Sequence, residues 1–437
     1  MRALPTPRSG SQALRKAVSG LPREFWWLWT STLINRLGGF VTTFLALYLT
    51  ADRGYSATFA GMVAALYGLG GTISSVVAGV LADRFGRRPT LLVSQLATAG
   101  AMACLGLLQE GWTIAAMATV LGITANAARP CIQAIIADLV PAKDQVRAFS
   151  LNYWAVNIGF AVASVSAGLI AEHGYLLLFF GNALSVLVCA VVIYCRVPET
   201  RPDLTADASA DAGKQSTGTA PEPVRVGLGV VVRDAKFLSV VGLSFLISMV
   251  LMQYTTSLPV SMGQAGLSSA EYGAVISVNG LMVVVATLPL TRAVQNQQPA
   301  KVLVLACLLA GFGFGMTTWA ETVPVYMLTV VVWTLGEIIN SPTSMALVAA
   351  LSPVNARGRY QGVYAMAFSA ATFTGPLLGG MVIDAFGDDA LWLGCAGVGT
   401  IAAAGYWILS RHVVTPQAVP APKARPQAEP TTASEPV

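Results

Sequence analysis

Twelve apolar runs, each long enough to cross a bilayer, dictate what this chain can become. They lie near 25–49, 59–82, 90–109, 112–137, 148–170, 175–195, 237–262, 270–291, 301–319, 324–351, 359–384 and 390–410, and are numbered here as spans 1–12. A hydrocarbon core of ~30 Å takes about 20 helical residues to cross. In lipid every backbone N–H and C=O must find a partner inside the protein, so runs of this length read as helices. Charged residues make up 11% of the chain, against about 25% in a soluble domain. That is too few to cover a surface in water. The chain reads as an all-α membrane protein.

The runs divide six and six. Residues 1–24 are polar and basic and read as a tail; the first apolar segment is too long, and carries Arg36, for a cleaved signal peptide. Residues 196–236 contain Thr205-Ala-Asp-Ala-Ser-Ala-Asp-Ala-Gly-Lys-Gln-Ser-Thr-Gly and have nothing apolar to bury, so they read as a flexible linker. Residues 411–437, rich in Pro, Ala and Glu, read as a disordered tail. The expected units are six-helix bundles over 25–195 and 237–410. Of the 26 Lys and Arg, 23 fall on the side of the N-terminus. By the positive-inside rule both termini and the linker are cytoplasmic, as in a multi-pass protein of a bacterial inner membrane. The net charge of +5 resides in these loops and gives no ground for a nucleic-acid partner. Cys104, Cys131, Cys189, Cys195, Cys307 and Cys395 lie in apolar runs without metal-type spacing. They read as small core hydrophobes, and no metal or cofactor is expected.

The two halves resemble each other. Gly54-Tyr-Ser-Ala-Thr-Phe-Ala-Gly61 aligns with Gly266-Leu-Ser-Ser-Ala-Glu-Tyr-Gly273 at a shift of 212 positions. The same shift carries Pro130 to Pro342, Pro141 to Pro353, Arg147 to Arg359, Gly168 to Gly380 and Tyr194 to Tyr406. One register held this long implies two parallel six-helix bundles. Transporters built this way hold substrate between the halves and rock one against the other.

Between spans 2 and 3 runs Gly79-Val-Leu-Ala-Asp83-Arg84-Phe-Gly86-Arg87-Arg88, a charged turn that cannot enter the bilayer. Its order resembles the signature loop between helices 2 and 3 of the major facilitator superfamily, and within it the twelve-helix drug/proton antiporters. The resemblance covers about residues 25–410. It implies that Gly79, Asp83, Arg84, Gly86, Arg87 and Arg88 form a conformational latch, with Asp83 holding the halves together near the start of span 11. It also implies that spans 1, 4, 7 and 10 line a central cavity. The counterpart loop between spans 8 and 9 keeps Arg292 and Lys301 but no acid, so one working latch is expected.

Three charges lie deep within the spans, away from their ends. Arg36 is ~16 Å into span 1, Glu337 is comparably deep in span 10, and Arg129 stands roughly two turns from Asp138 in span 4. Each is either a structural charge with a polar partner or part of a water-accessible pathway, and the cost of burial favours the second. Arg129-Pro130-Cys131-Ile132-Gln133 resembles the family's helix-4 motif, whose arginine is associated with proton transfer; Ala134 stands where the family has glycine. Glu337 maps by the repeat to Ala125, one turn from Arg129, so carboxylate and guanidinium are expected to face each other. Protonating Glu337 would release Arg129 or Arg36. Asp138 is a second proton-coupling candidate, or a helix-end charge steadying the loop with Lys143 and Arg147. His173 and His412 lie outside the spans.

Asn35, Asn126, Gln253, Tyr254 and Asn340 are the candidates for substrate contact, although bonding between helices is the commoner role for such groups. Trp26, Trp27 and Trp29 are expected as interface anchors at one membrane face, and Trp112, Trp319 and Trp392 at the other. A Gly-Pro-x-x-Gly-Gly motif, which the antiporter subgroup carries in span 5, stands here in span 11 as Gly375, Pro376, Gly379 and Gly380, a helix-packing motif. Neither an ATP-binding G-x-x-x-x-G-K-[ST] nor a metalloprotease or serine-hydrolase motif occurs, which argues against a pump or an enzyme. The expected function is proton-coupled efflux of a small amphipathic compound by a monomer working through alternating access. A facilitator or proton symporter importing a small metabolite is the alternative, and a polytopic membrane enzyme or lipid-handling protein the second.

Overall fold

The computed structural model describes residues 20–39, 41–200, 231, 233–353 and 357–412. Residues 1–19 and 413–437 of the expected tails, and 201–230 of the expected linker, lie outside them. Among the described residues twelve helical stretches are long and apolar enough to cross a membrane: Arg23–Asp52, Ala57–Ala82, Arg87–Leu107, Gly111–Leu139, Arg147–Ala171 and Tyr175–Arg196, then Ala235–Thr255, Ser269–Val294, Pro299–Trp319, Val323–Leu351, Arg359–Phe386 and Asp388–Arg411. Large apolar side chains such as Val93, Leu184, Val285 and Ile401 are more than half exposed on the outside of the bundle. Such a surface is stable only against lipid. Cys104 and Cys195 stand on the exposed surface rather than in the core, which in lipid is equally apolar.

The repeat is built into the packing. In the first half span 2 packs on span 4, span 3 on spans 4 and 6, and span 1 on spans 5 and 6. The second half repeats the plan with span 8 on span 10, span 9 on spans 10 and 12, and span 7 on spans 11 and 12. Gly54 and Gly266 take the same left-handed turn, with φ of 69° and 77°. The halves meet along span 2 against span 11 and span 5 against span 8. At both seams small residues let the backbones touch. A Cβ on Gly168 would lie 2.6 Å from the carbonyl oxygen of Ser269, and one on Gly380 would overlap that of Ala57, the equivalent position. Likewise Gly273 sits on the Ser164 carbonyl and Gly61 on that of Pro376. This places the Gly-Pro-x-x-Gly-Gly motif at the seam, with a packing role.

Spans 1 and 7 are broken near mid-membrane. The first helix of span 1 ends at Leu37, where Gly38 and Gly39 donate back to the carbonyls of Ile34 and Arg36 at 3.0 and 3.1 Å; a short helix, Val41–Leu47, and a π-turn to Asp52 follow. Span 7, expected as one run to 262, ends its regular helix at Leu251, tightens into a 3₁₀ turn over Met252–Thr255 and restarts as Ser257–Gln264. Pro259 has no N–H to return to the Thr255 carbonyl, so a continuous ladder cannot form there. Irregular backbone at this depth persists only where it is buried in protein or lines a water-filled cavity.

Contacts between the halves lie toward the side away from the termini, called here the far side. There the Asp384 carboxylate at the end of span 11 accepts the backbone N–H groups of Ala57 and Thr58 at 3.1 and 2.7 Å, completing the start of span 2 with a group from the other half. Ser56 and its equivalent Ser268 each cap their own helix, accepting from the N–H of Phe59 and of Glu271; in span 8 Glu271 returns the bond, which makes a reciprocal capping box. Trp392, expected as an interface anchor, is instead fully buried against Phe314, with its indole N–H on the Ser261 hydroxyl at 3.3 Å, whereas Trp112 and Trp319 are exposed.

Candidate transport site

Between the halves lies a cavity of about 410 Å³. Part of its wall pairs under the repeat: Thr42 and Tyr254, Thr43 and Thr255, Ala60 and Tyr272, Tyr67 and Asn279, Phe160 and Thr372 are pairs at the same shift, and all ten line it. Both broken spans contribute, since Arg36 and Thr42 flank the first break and Tyr254 to Thr256 form the second. On the terminal side the wall residues Tyr153 and Phe368 are about half exposed, at 51% and 49%. The cavity is therefore shut on the far side and open toward the termini.

The symmetry of the wall does not extend to its charges. Arg36 has Ser248 as its equivalent, and Glu337 has Ala125. Among the described residues Glu337 is the one carboxylate in the wall and Arg36 the one cation. Glu337 sits at the middle of the helix Val323–Leu351, ~21 Å from either end. Its Oε2 accepts the Asn279 amide at 2.8 Å, and the same amide nitrogen donates to the Thr334 hydroxyl at 3.0 Å. Neither Arg36 nor Arg129 stands within 4.0 Å of this carboxylate, so the expected pairing across the axis is not made here. Span 8, which supplies Asn279, intervenes as the partner. Among the described residues the Arg36 guanidinium has neither a hydrogen bond nor an ion pair, and it is exposed to the cavity. Gly159 lets span 5 press against the backbone carrying it, because a Cβ there would lie 2.5 Å from that of Arg36. Arg129 is exposed on span 4 outside the wall.

Of the candidates for substrate contact, the structure brings Tyr254 to the cavity. Its ring stacks on Trp333 at 5.8 Å, and Trp333 stacks on Phe314 at 5.1 Å, which fixes the phenol from behind. Gln253 turns into the seam between spans 7 and 11, donating to the Gly375 carbonyl at 2.9 Å and accepting from Ser257 at 2.6 Å, with Gly379 making room for it. Asn126 donates to its own helix at the Gly122 carbonyl, and Asn340 accepts from Ser344 at 3.3 Å. Asn35 does not reach the wall. Asn279, Tyr67, Tyr153 and Asn157 were not among the expected residues, because they lie on spans 2, 5 and 8.

At the terminal side the charged turn binds within its own half. Arg87 pairs with Asp138, and the backbone N–H groups of Arg87 and Arg88 donate to the Glu199 carboxylate at 3.0 and 3.1 Å. Gly86 has φ 104°, and a Cβ there would stand 2.8 Å from Glu199 Oε2, so both the turn and the acid require glycine. Arg88 also reaches the Tyr194 carbonyl, and Arg84 lies over Phe85 at 5.4 Å. The side chain of Asp83 is outside the described residues, and nothing lies within 4 Å of a Cβ on Gly79. Asp138 thus holds the turn rather than Arg147, which pairs with Asp144 at 3.5 Å.

Two six-span bundles related by an internal repeat, closed on one side around a largely apolar cavity that holds a carboxylate and a guanidinium, define a membrane transport protein. The family model of the Major Facilitator Superfamily matches residues 28–369 and 266–435, and the chain belongs to that superfamily. It is 27% identical over 381 residues to the uncharacterized MFS-type transporter YqjV of Bacillus subtilis, covering 83% of this chain and 87% of that one. It is 24% identical over 393 residues to the multidrug resistance protein MdtH of Klebsiella pneumoniae, covering 87% and 93%. Among solved structures the nucleoside transporter NupG superposes with a TM-score of 0.75 at 13% identity, covering 89% of this chain and 99% of that one, a likeness of fold.

Proposed function

We propose that this chain is a proton-coupled secondary transporter working by alternating access, with Glu337 as the group that takes up and releases the proton. The observation that carries this is the place of Glu337: among the described residues it is the one carboxylate in the wall of the cavity, at the middle of its helix and held by an amide that tolerates either protonation state. A carboxyl at that depth gives a two-state element that a proton can bias. Efflux of a small amphipathic compound is the direction we propose; MdtH, to which the chain is similar, is a multidrug resistance protein. The lysine and arginine distribution supports cytoplasmic termini, hence a cavity open to the cytoplasm in this state; a monomer in a bacterial inner membrane is the form we propose.

Import of a small metabolite together with a proton is the second reading, favoured by the Arg36 guanidinium in the wall, which has no partner among the described residues. Transport in proteoliposomes under an imposed pH gradient, with a panel of dyes, drugs and organic acids, tests both. Gradient-driven movement that Glu337→Gln abolishes is expected. Movement that ignores gradient and substitution alike would return Glu337 to a structural role and leave a facilitator.

A further inference from the structure

We infer that Arg36 holds an acidic group of the substrate, that the substrate is a compact aromatic monoanion, and that it crosses together with the proton on Glu337. This rests on the reading of Glu337 as proton carrier and deepens the second direction given above.

The first observation is the state of Arg36. An arginine side chain carries five N–H donors in a fixed fork, and at mid-bilayer a donor set of this kind is costly to leave without an acceptor. Among the described residues no carboxylate, carbonyl or hydroxyl bonds it, although Gly159 and span 5 press its backbone into place. The groups sharing its cavity are Tyr67 on span 2, Tyr153 and Asn157 on span 5, Tyr254 on span 7, Asn279 on span 8 and Glu337 on span 10. Of these, Glu337 and the four wall tyrosines, counting Tyr272, are the titratable ones, and Glu337 is engaged by Asn279. A planar fork open to a cavity matches a carboxylate, which it can grip with two parallel bonds.

The second observation is the rest of the wall. Six aromatic rings, of Tyr67, Tyr153, Phe160, Tyr254, Tyr272 and Phe368, surround the cavity, which suits a ligand with a flat apolar body. A cavity of about 410 Å³ falls in the lower part of the range for small-molecule sites, roughly 300–1,000 Å³.

Charge balance supplies the coupling. The empty wall holds one cation and, with Glu337 ionised, one anion; it is neutral. An acid anion alone would leave one uncompensated negative charge between two bundles that must close over it. With Glu337 protonated the loaded wall is neutral again, as Arg36 pairs with the ligand. Arg129 lies outside the wall but near enough to act on Arg36; it is common to the empty and the loaded cavity and does not enter the difference. Low-dielectric surroundings penalise the unbalanced state, so anion and proton favour each other's binding and travel in one direction. A cationic substrate would instead face Arg36 and compete with the proton.

The test uses the full-length protein reconstituted in nanodiscs and two probes of the same shape, 1-naphthylacetate and 2-(1-naphthyl)ethylamine. The acid should bind and the amine should not. Acid affinity should rise as pH falls, and Glu337→Gln should hold it high and independent of pH. Arg36→Gln should weaken the acid at least tenfold, with Arg36→Lys recovering part of the loss; an unchanged thermal midpoint separates this from misfolding. Binding of the amine alone, binding of neither probe, or acid affinity indifferent to Arg36→Gln overturns the assignment of Arg36. If Arg36→Gln acts as expected while the pH dependence persists in Glu337→Gln, the acid subsite stands and the role of Glu337 falls.

Discussion

Replacing Asp384 by Asn should open the far side. In the closed state its two carboxylate oxygens accept from Ala57 and Thr58, which belong to the other half, at 3.1 and 2.7 Å. Hydrogen bonds to a charged acceptor contribute about 1.5–3 kcal/mol each where water is excluded. Asp384 is exposed, so solvent screening cuts the pair to about 1–2 kcal/mol in total. The amide keeps one acceptor oxygen and no charge, and loses most of that. A loss of this size moves a two-state equilibrium by roughly 5- to 30-fold. Spin labels at Gln109 and Glu321, exposed far-side positions related by the repeat, would report it as growth of the longer distance population in the reconstituted protein. Glu172→Gln is the control: Glu172 is the repeat equivalent of Asp384, but among the described residues its side chain makes no hydrogen bond or ion pair to span 8, so no shift is expected. An unchanged distance distribution in Asp384→Asn, or the same shift in both variants, would refute the clasp.

Three further outcomes follow from the packing. Gly168→Val and Gly380→Val each drive a side chain into the facing backbone at Ser269 or Ala57, so both should hold the far side open and slow transport in proteoliposomes while leaving each half folded. The Arg87–Asp138 pair is largely shielded, with side chains 14% and 26% exposed, and losing one partner strands the other; Asp138→Asn should destabilise by up to ~3 kcal/mol in a thermal or denaturant assay, and adding Arg87→Gln should cost less than the sum of the two. Trp392→Ala should cost about 3–5 kcal/mol as a cavity in the core, against almost nothing for the exposed Trp112→Ala.

The spans were legible because lipid imposes one rule on every segment, and a run of twenty apolar residues meets it in one way. The repeat was legible for a similar reason: close backbone contacts admit only small residues, so Gly168 and Gly380, or Gly61 and Gly273, announce the seams. The cavity was only half legible. Assigning its wall to spans 1, 4, 7 and 10 found Arg36, Glu337 and Tyr254 but passed over Asn279, although the repeat places it opposite Tyr67. Gln253 misled because an amide on a cavity-lining span looks the same whether it faces a ligand or, as here, the Gly375 carbonyl. Asp384 and Glu199 went unread because an acid at a helix end or in a linker gives no sign of which distant N–H groups it will meet. Such partners are properties of the tertiary arrangement, not of local pattern.

The interruptions in spans 1 and 7 also bear on how the halves move. An unbroken helix is stiff and transmits any tilt from one face of the membrane to the other. Here the far-side ends are separate short levers, and they rest on each other: a Cβ on Gly263 would stand 2.9 Å from the Leu47 side chain. Bending at Gly38-Gly39 and at Met252–Thr256 therefore uncouples the two faces. The far-side contacts and the terminal ends of the bundles are thereby free to move separately rather than as one rigid rotation.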